Sequence, residues 1–222
     1  MASSIVIAVD GTAASGKGTL AKKLAQHFGF AHLDSGSLYR LVAMRVIETG
    51  GDPSREADAI AAARTIDVSR RDDPRIRSAE AGHAASLVSV FPAVRSALLE
   101  FQRTFANRAA SPAKGAVIDG RDIGTVICPV ATAKLFVDAD PEVRAHRRWL
   151  ELKAIGDERD EAALLAEIQE RDARDRVRAA SPLKPAADAH LLDTTNLDID
   201  AAFAAALAFV KPKVEEALKA SP

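Results

Sequence analysis

Cysteine is almost missing from this chain of 222 residues. The single Cys128 excludes an intrachain disulfide, and its setting between Ile127 and Pro129 suggests neither a metal cluster nor a nucleophile, so it reads as a packing residue. Net charge is equally scarce. Thirty basic residues face 31 acidic ones, leaving -1, so there is no bulk pull toward nucleic acid or an anionic membrane. No apolar run is long enough to span a bilayer, and Met1-Ala2-Ser3-Ser4 carries no basic region of a secretory signal. Neither nucleic acid nor membrane is therefore expected as a partner, and the expected compartment is the cytoplasm. Asparagine is rare too: Asn107 precedes Arg108 and Asn196 precedes Leu197, so the N-K-x-D signature of a guanine-specific switch is missing. Internal repeats and long disordered tracts are not apparent. With 48% hydrophobic residues the chain can bury a substantial core as one domain with embellishments.

What is present begins with Gly11-Thr12-Ala13-Ala14-Ser15-Gly16-Lys17-Gly18-Thr19, directly after the apolar run Ile5-Val6-Ile7-Ala8-Val9. Glycines at both ends let the backbone curl so that successive N–H groups point at phosphate oxygens, and Lys17 adds a point charge near the β and γ phosphates. Leu20, Leu24 and Phe28 then follow at helical spacing and Gly29 is placed to end the helix, so a bound phosphate would sit at a helix N-terminus. The generic phosphate loop has Ser or Thr right after the lysine to hold Mg²⁺. Here Gly18 intervenes before Thr19, and a loop ending G-K-G-T resembles those of nucleoside monophosphate kinases.

Short apolar runs at 5–9, 30–33, 116–118, 135–137 and 191–192 alternate with helical patterns and read as buried parallel strands of a doubly wound α/β sheet. Leu38, Leu41 and Val42 support a helix after the second run. Val143, Arg147 and Leu150, with Pro141 suited to the first turn, support one after the fourth. The last helix carries Ile199, Phe203, Leu207, Val210, Val214 and Leu218 as a stripe expected to pack across the sheet, and Pro212 is expected to end or kink it. Residues 50–81, rich in Asp, Arg, Gly and Pro, read as an insertion whose only strand-like hints are Asp67-Val68 and Ile76. Residues 156–183 open on Asp157-Glu158-Arg159-Asp160-Glu161, then have Leu164, Leu165 and Ile168 before becoming almost wholly charged; a helix polar all round is either solvated or closes over a polar ligand.

Three charged groupings bear on chemistry. Helical spacing puts Arg171, Asp175 and Arg178 on one face with Arg174 beside them. Charge runs are usually solvated faces, but phosphoryl transfer needs arginines, and this helix is a source of them. Asp119-Gly120-Arg121-Asp122 follows a strand, so it belongs at the carboxyl edge of a parallel sheet beside the phosphate loop. Asp119 is there a candidate to hold Mg²⁺ through water, or a turn former before Gly120. Asp34-Ser35-Gly36-Ser37-Leu38-Tyr39-Arg40 follows another strand, with Ser35 or Ser37 as candidate N-caps and Arg40 one turn into a helix, where it is either functional or merely exposed.

Together these motifs resemble the bacterial cytidylate kinases, over nearly the whole chain. Besides G-K-G-T the sequence has D-S-G-x-x-Y-R at 34–40, A-A-S with a following F-P-x-V-R at 84–95, D-G-R-D-x-G-T at 119–125, and R-D-x-x-D-x-x-R at 171–178 running into P-L-x-P-A-A-D-A at 182–189. The resemblance implies a P-loop kinase fold: a doubly wound five-stranded parallel sheet with helices on both faces, plus a monophosphate-binding insertion and a lid. It implies one domain over 1–222, with a core at about 1–49, 84–155 and 184–222, the insertion at about 50–83 and the lid at about 156–183. The implied reaction is transfer of the γ-phosphoryl group of MgATP to CMP or dCMP, in pyrimidine nucleotide metabolism, by a monomer.

On the positions that match the family, residues 11–19 bind ATP, and Thr19 with Asp119 organises Mg²⁺. Lys17, Arg121 and Arg178 are catalytic. Arg40, Arg121 and Arg178 hold the acceptor phosphate, Ser86, Arg95 and Asp122 read cytosine, Arg171 and Asp175 lie near the sugar, and Ser35 joins the acceptor-binding set. Uracil inverts the polarity that an acid reads at N4 and N3, which costs about 1 to 3 kcal/mol, roughly tenfold to a hundredfold in preference. The family insertion typically includes a small antiparallel sheet, and residues 66–84 are too few for all of it, so one hairpin is expected to be missing. A kinase for UMP, AMP or a non-nucleotide acceptor, and a nucleotide-binding regulator with little turnover, are the alternatives that the residues leave open.

Overall fold

A computed structural model describes residues 4–108, 114–154, 156 and 158–220. Asp157, at the head of the charged segment, and Met1, Ala2 and Ser3 lie outside the described residues. The chain divides into two compact units, Met1–Leu33 with Ala106–Pro222, and Asp34–Phe105.

The first unit is built on five strands: β1 (Ile5–Gly11), β2 (Ala31–Asp34, its last residue opening the other unit), β3 (Gly115–Gly120), β4 (Ala133–Asp138) and β5 (His190–Asp193). They lie in the order β2-β3-β1-β4-β5 as one parallel sheet with helices on both faces. β1 is central and wholly buried, which its run of β-branched residues suits. Its register sets Asp10 against Gly120 and Gly11 against Val137, so the carboxyl ends of β1, β3 and β4 finish side by side. Helix α1 (Lys17–Phe28) packs Leu20, Ala21 and Leu24 on Ile5, Ile7 and Val9, and it ends on Gly29 in the left-handed conformation that glycine adopts without cost.

The last helix, α8 (Ile199–Ala220), packs on the same core through Ala206, Val210 and Val214. The expected apolar stripe is corrected. Its buried line is Ala202, Ala206, Val210 and Val214, whereas Ile199 and Leu218 are exposed; small alanines let the helix approach closely, so the bulkiest residues do not mark the inner face. The helix also continues past Pro212, so of the two expected effects of that residue the ending does not occur. That residue and Ala208, whose carbonyl loses its N–H partner, both stand on the exposed face, where water can replace the missing bond.

Helix α6 (Pro141–Lys153) has Pro141 in its first turn as expected, and Asp140 is its N-cap, but its inner face is Arg144, Ala145 and Leu152 while Leu150 is half exposed. Helix α7 (Glu161–Val177) buries Leu164, Ile168, Asp172 and Asp175, so it is not polar all round: two apolar residues seat its first half and two carboxylates its second.

The second unit is helical. Helices α2 (Ser35–Glu48), α3 (Glu56–Ala63), α4 (Ala79–Val88) and α5 (Pro92–Arg108, of which residues up to Phe105 belong here) enclose a core of Leu38, Val42, Val46, Ala59, Ala84, Val88, Val94 and Leu98. The strand-like hints at Asp67-Val68 and Ile76 prove to be 3₁₀ turns, Val68–Asp72 and Pro74–Arg77, each opened by an aspartate accepting a backbone N–H. No strand occurs among the described residues from Ser35 to the end of this unit. Ile76 is buried against Leu41 and Met44. No single described helix is long and apolar enough to cross a membrane.

Candidate active site

The loop after β1 is held from behind. Gly11, at φ +153°, lies so close to β4 that a Cβ would sit 2.0 Å from the Val137 carbonyl oxygen. Gly16, at φ +85°, caps α1 in a left-handed conformation with open space around it. Between them three carbonyls have donors: Ser15 Oγ (3.1 Å) and Lys17 Nζ (3.2 Å) donate to Thr12 O, Arg144 Nη1 (3.2 Å) donates to Ala13 O, and Thr194 Oγ1 (3.0 Å) donates to Ser15 O. A trans peptide points its N–H opposite to its C=O. Anchoring these carbonyls therefore turns the amides of Ala13, Ala14 and Gly16 to the other side, where they form a concavity suited to an anion at the start of α1. Thr12 Oγ1 donates to Asp138 Oδ1 over 2.6 Å and fixes the loop's first residue to the end of β4.

Beside this loop β3 carries Asp119. It lies within the strand, not in a turn, which corrects the turn-former reading; it is buried, and its Oδ1 is 2.8 Å from His32 Nε2 on β2. Its Oδ2 faces Gly18, where a Cβ would lie 3.6 Å away, and Thr19 is exposed one position further on. A buried carboxylate next to a phosphate loop fits Mg²⁺, which takes oxygen ligands and keeps several waters, with phosphates completing its shell. Among the described residues no cluster of three or more His, Cys, Asp or Glu side chains forms a site for a metal on its own.

Past Gly120 the chain enters a π-helical turn, Ile123–Ile127. Asp10 at the end of β1 accepts from the amides of Ile123 and Gly124, both at 2.7 Å, so the strand that launches the phosphate loop also fixes the turn that follows Arg121 and Asp122. Burial pushes the Asp10 carboxyl up to about 7, against the pull of those two amides.

Arg121 and Arg178 converge on one acid. Arg121 Nε donates to Asp175 Oδ2 at 2.9 Å, and Arg178 Nη1 lies 3.6 Å from Asp175 Oδ1. Burial opposes ionisation of Asp175, but the charges of Arg121, Arg171 and Arg178 outweigh it and hold the carboxyl below its ordinary range. Three guanidiniums thus act on one largely buried carboxylate. Arg178 is the residue that ends α7, in an extended conformation, which swings it back over Asp175. Arg174 instead pairs with Glu170 on the exposed side of the helix, the part of the charge run that is a surface ladder. Asp122 is buried at the head of the π turn.

The other expected residues lie in the second unit. Asp34 holds the N-cap position of α2 and Ser35 is the buried first residue of the helix, while Ser37 Oγ donates to the Asp34 carbonyl at 2.6 Å. Neither serine caps, because β2 passes into α2 without an intervening turn. Arg40 Nη1 donates to the Ile76 carbonyl (2.9 Å), and Gly82 leaves room for the guanidinium, since a Cβ there would meet Nη1 at 3.2 Å. Ser86 and Arg95 are brought together: Arg95 Nη1 donates to Ser89 O (3.3 Å), Ser89 Oγ donates to Ser86 O (3.0 Å), and Arg95 lies over the Tyr39 ring.

Asp10, His32, Asp138, Arg144, Asp172 and Thr194 were not foreseen as site residues. Asp172 is the first aspartate of the R-D-x-x-D-x-x-R pattern but was given no role there; the others belong to no quoted motif, and only the strand-end position of Asp10 and Asp138 was a signal.

The family described as "Cytidylate kinase" matches residues 7–212. A protein of that name from Nitrobacter winogradskyi is 58% identical over 207 residues, covering 93% of this chain and 96% of its own. Another from Afipia carboxidovorans is 56% identical over 207 residues, covering 93% and 97%. Among solved structures, an uncharacterized protein from Eubacterium ventriosum shares the fold with a TM-score of 0.51 at 17% identity, covering 93% of this chain and 98% of that one.

Proposed function

Because the chain belongs to the cytidylate kinase family, we propose that its two strand-end devices, the anchored loop 11–19 and the arginines around Asp175, are the donor and acceptor phosphate sites of one phosphoryl transfer. The enzyme is a kinase that transfers the γ-phosphoryl group of ATP to CMP or dCMP, giving ADP and CDP or dCDP.

The observation that carries the site assignment is the sharing of Asp175 by Arg121 and Arg178 at the end of a parallel sheet next to the phosphate loop. An acceptor phosphate oxygen is already anionic at neutral pH, so no strong base is needed. The obstacle is repulsion between two phosphates, and fixed guanidiniums relieve it. Arg121 and Arg178 hold the acceptor phosphate, with Arg40 of the second unit assigned to the same group by the resemblance. Ser86, Arg95 and Asp122 read the cytosine, Arg171 and Asp175 lie near the sugar, and Ser35 belongs to this set.

The loop amides and Lys17 hold the ATP phosphates. Thr19 and Asp119, the latter through water, hold Mg²⁺, which neutralises charge on the β and γ phosphates when bound. The charged second half of 156–183 closes as a lid when both nucleotides are present and excludes the water that would hydrolyse ATP. Cytoplasmic residence and a monomeric state complete the reading; the monomer rests on the resemblance.

Replacing Arg178 with Ala tests the assignment. Turnover falls by orders of magnitude while ATP binding stays nearly intact; near-normal turnover refutes the role.

A further inference from the structure

Arg144 is the largest fully buried side chain among the described residues, and the guanidinium has a partner in each of three segments. Nε donates to Ala139 O (2.8 Å), the residue that links β4 to α6; Nη1 donates to Ala13 O (3.2 Å) in the phosphate loop; and Nη2 donates to Asp172 Oδ2 (2.7 Å) on α7. Both members of the ion pair are buried, 1% and 3% exposed at the side chain. A hydrophobic pair would fill this space at least as favourably, because taking both charges out of water is costly. What the guanidinium provides instead is direction.

The peptide between Ala13 and Ala14 is the place where direction matters. Ala14 has φ +57°, a left-handed conformation unusual for a residue with a Cβ, so this turn does not hold itself. Nη1 fixes the Ala13 carbonyl on the inner side, and the trans peptide then presents the Ala14 amide on the outer side of the loop. The same planar group reaches α7 at Asp172, next in sequence to Arg171 and three residues before Asp175. A lysine, with one nitrogen on a flexible stem, cannot reproduce a fork that meets three acceptors in three directions.

We propose that Arg144 is a positioning residue: it orients the Ala14 amide toward the donor phosphates and, through Asp172, ties that orientation to the helix that carries the acceptor-side Arg171, Asp175 and Arg178. The inference rests on the assignment of loop 11–19 to ATP. Its consequence is reciprocal. Occupation of the acceptor side settles α7, settles the Arg144 fork and so improves the fit of ATP, and ATP improves the fit of the acceptor by the same factor.

The test measures binding of a non-hydrolysable ATP analogue with Mg²⁺, with and without CMP, together with KM and kcat, in the wild type, Arg144→Lys and the double variant Arg144→Met/Asp172→Leu. The double variant leaves no buried charge unpartnered, so it keeps a folded protein if the lysine variant does not fold. The wild type is expected to bind the analogue several-fold more tightly with CMP present. Both variants are expected to raise the KM for ATP about tenfold and to lose the gain from CMP. Folded variants with wild-type ATP affinity and an undiminished gain overturn the proposal, as does a wild type indifferent to CMP. A Lys17→Ala control separates the two levels: if it also leaves ATP affinity unchanged, the donor assignment of the loop has failed, and if it weakens ATP while the Arg144 variants do not, the positioning role alone has failed.

Discussion

Arg121, one residue past the end of β3, donates through Nε to Oδ2 of Asp175 on α7 over 2.9 Å, and this bond joins two segments 54 residues apart in the sequence. Both side chains are largely buried. Removing the acid strands guanidiniums with like charge beside each other, so Asp175→Ala is expected to destabilise the fold by about 3–5 kcal/mol, read from urea unfolding. The carboxyl is held below its ordinary range, so its contribution is complete above the unfolded value of about 3.9 and disappears as pH falls through the lower folded value. The stability gap between wild type and variant must therefore narrow in acid, and a gap that is constant with pH contradicts the ion-pair account.

Asp10 should behave in the opposite sense. Its carboxyl is raised to about 7 by burial, so the folded protein holds a proton there that the unfolded chain has already released. Stability then falls as pH rises from about 4 to 7, by at most about 1.4 kcal/mol per pH unit for this group. Asp10→Asn removes that dependence. Denaturant unfolding of both proteins across this range checks it: the cost of the substitution shrinks toward pH 7, and a cost that grows contradicts the assignment.

The two glycines of the phosphate loop separate two kinds of requirement. Gly11→Ala drives a Cβ into the backbone of β4, which cannot yield without breaking the sheet, and little folded protein is expected. Gly16→Ala meets no atom and bears only the cost of a left-handed alanine, about 1–2 kcal/mol. Thermal unfolding that ranks the two variants the other way refutes the packing argument.

Strand positions, the phosphate loop and the ends of α1 and α6 were legible because each depends on neighbours in sequence: a β-branched run, a glycine past the last turn, a proline in the first. What was not legible depends on distant partners. Arg144 occupies an inner position where pattern alone favours Val143 and Leu150, because its three acceptors come from other segments. The inner face of α8 is lined partly by alanines, which periodicity of large residues overlooks. Asp119 was open to a turn reading because nothing local reveals that β3 continues through it to Gly120. In the 50–83 segment, short 3₁₀ turns capped by aspartates leave no periodic trace.

If 156–183 closes over bound nucleotides, amide hydrogen exchange there should slow markedly when a bisubstrate ligand binds. The effect should be concentrated in the second half of α7, where Asp172 and Asp175 already engage Arg144 and Arg121. Unchanged exchange in that half eliminates the lid.

Selective phosphorylation of a cytidine monophosphate is read out by ADP formation from MgATP with CMP, dCMP, UMP, AMP or no acceptor, compared at limiting acceptor concentration. Turnover is expected with CMP or dCMP, with UMP used roughly tenfold to a hundredfold less well and little ADP formed without an acceptor. Equal use of UMP contradicts the assigned cytosine reading by Ser86, Arg95 and Asp122, and ADP formation indifferent to any acceptor contradicts phosphoryl transfer to a nucleoside monophosphate.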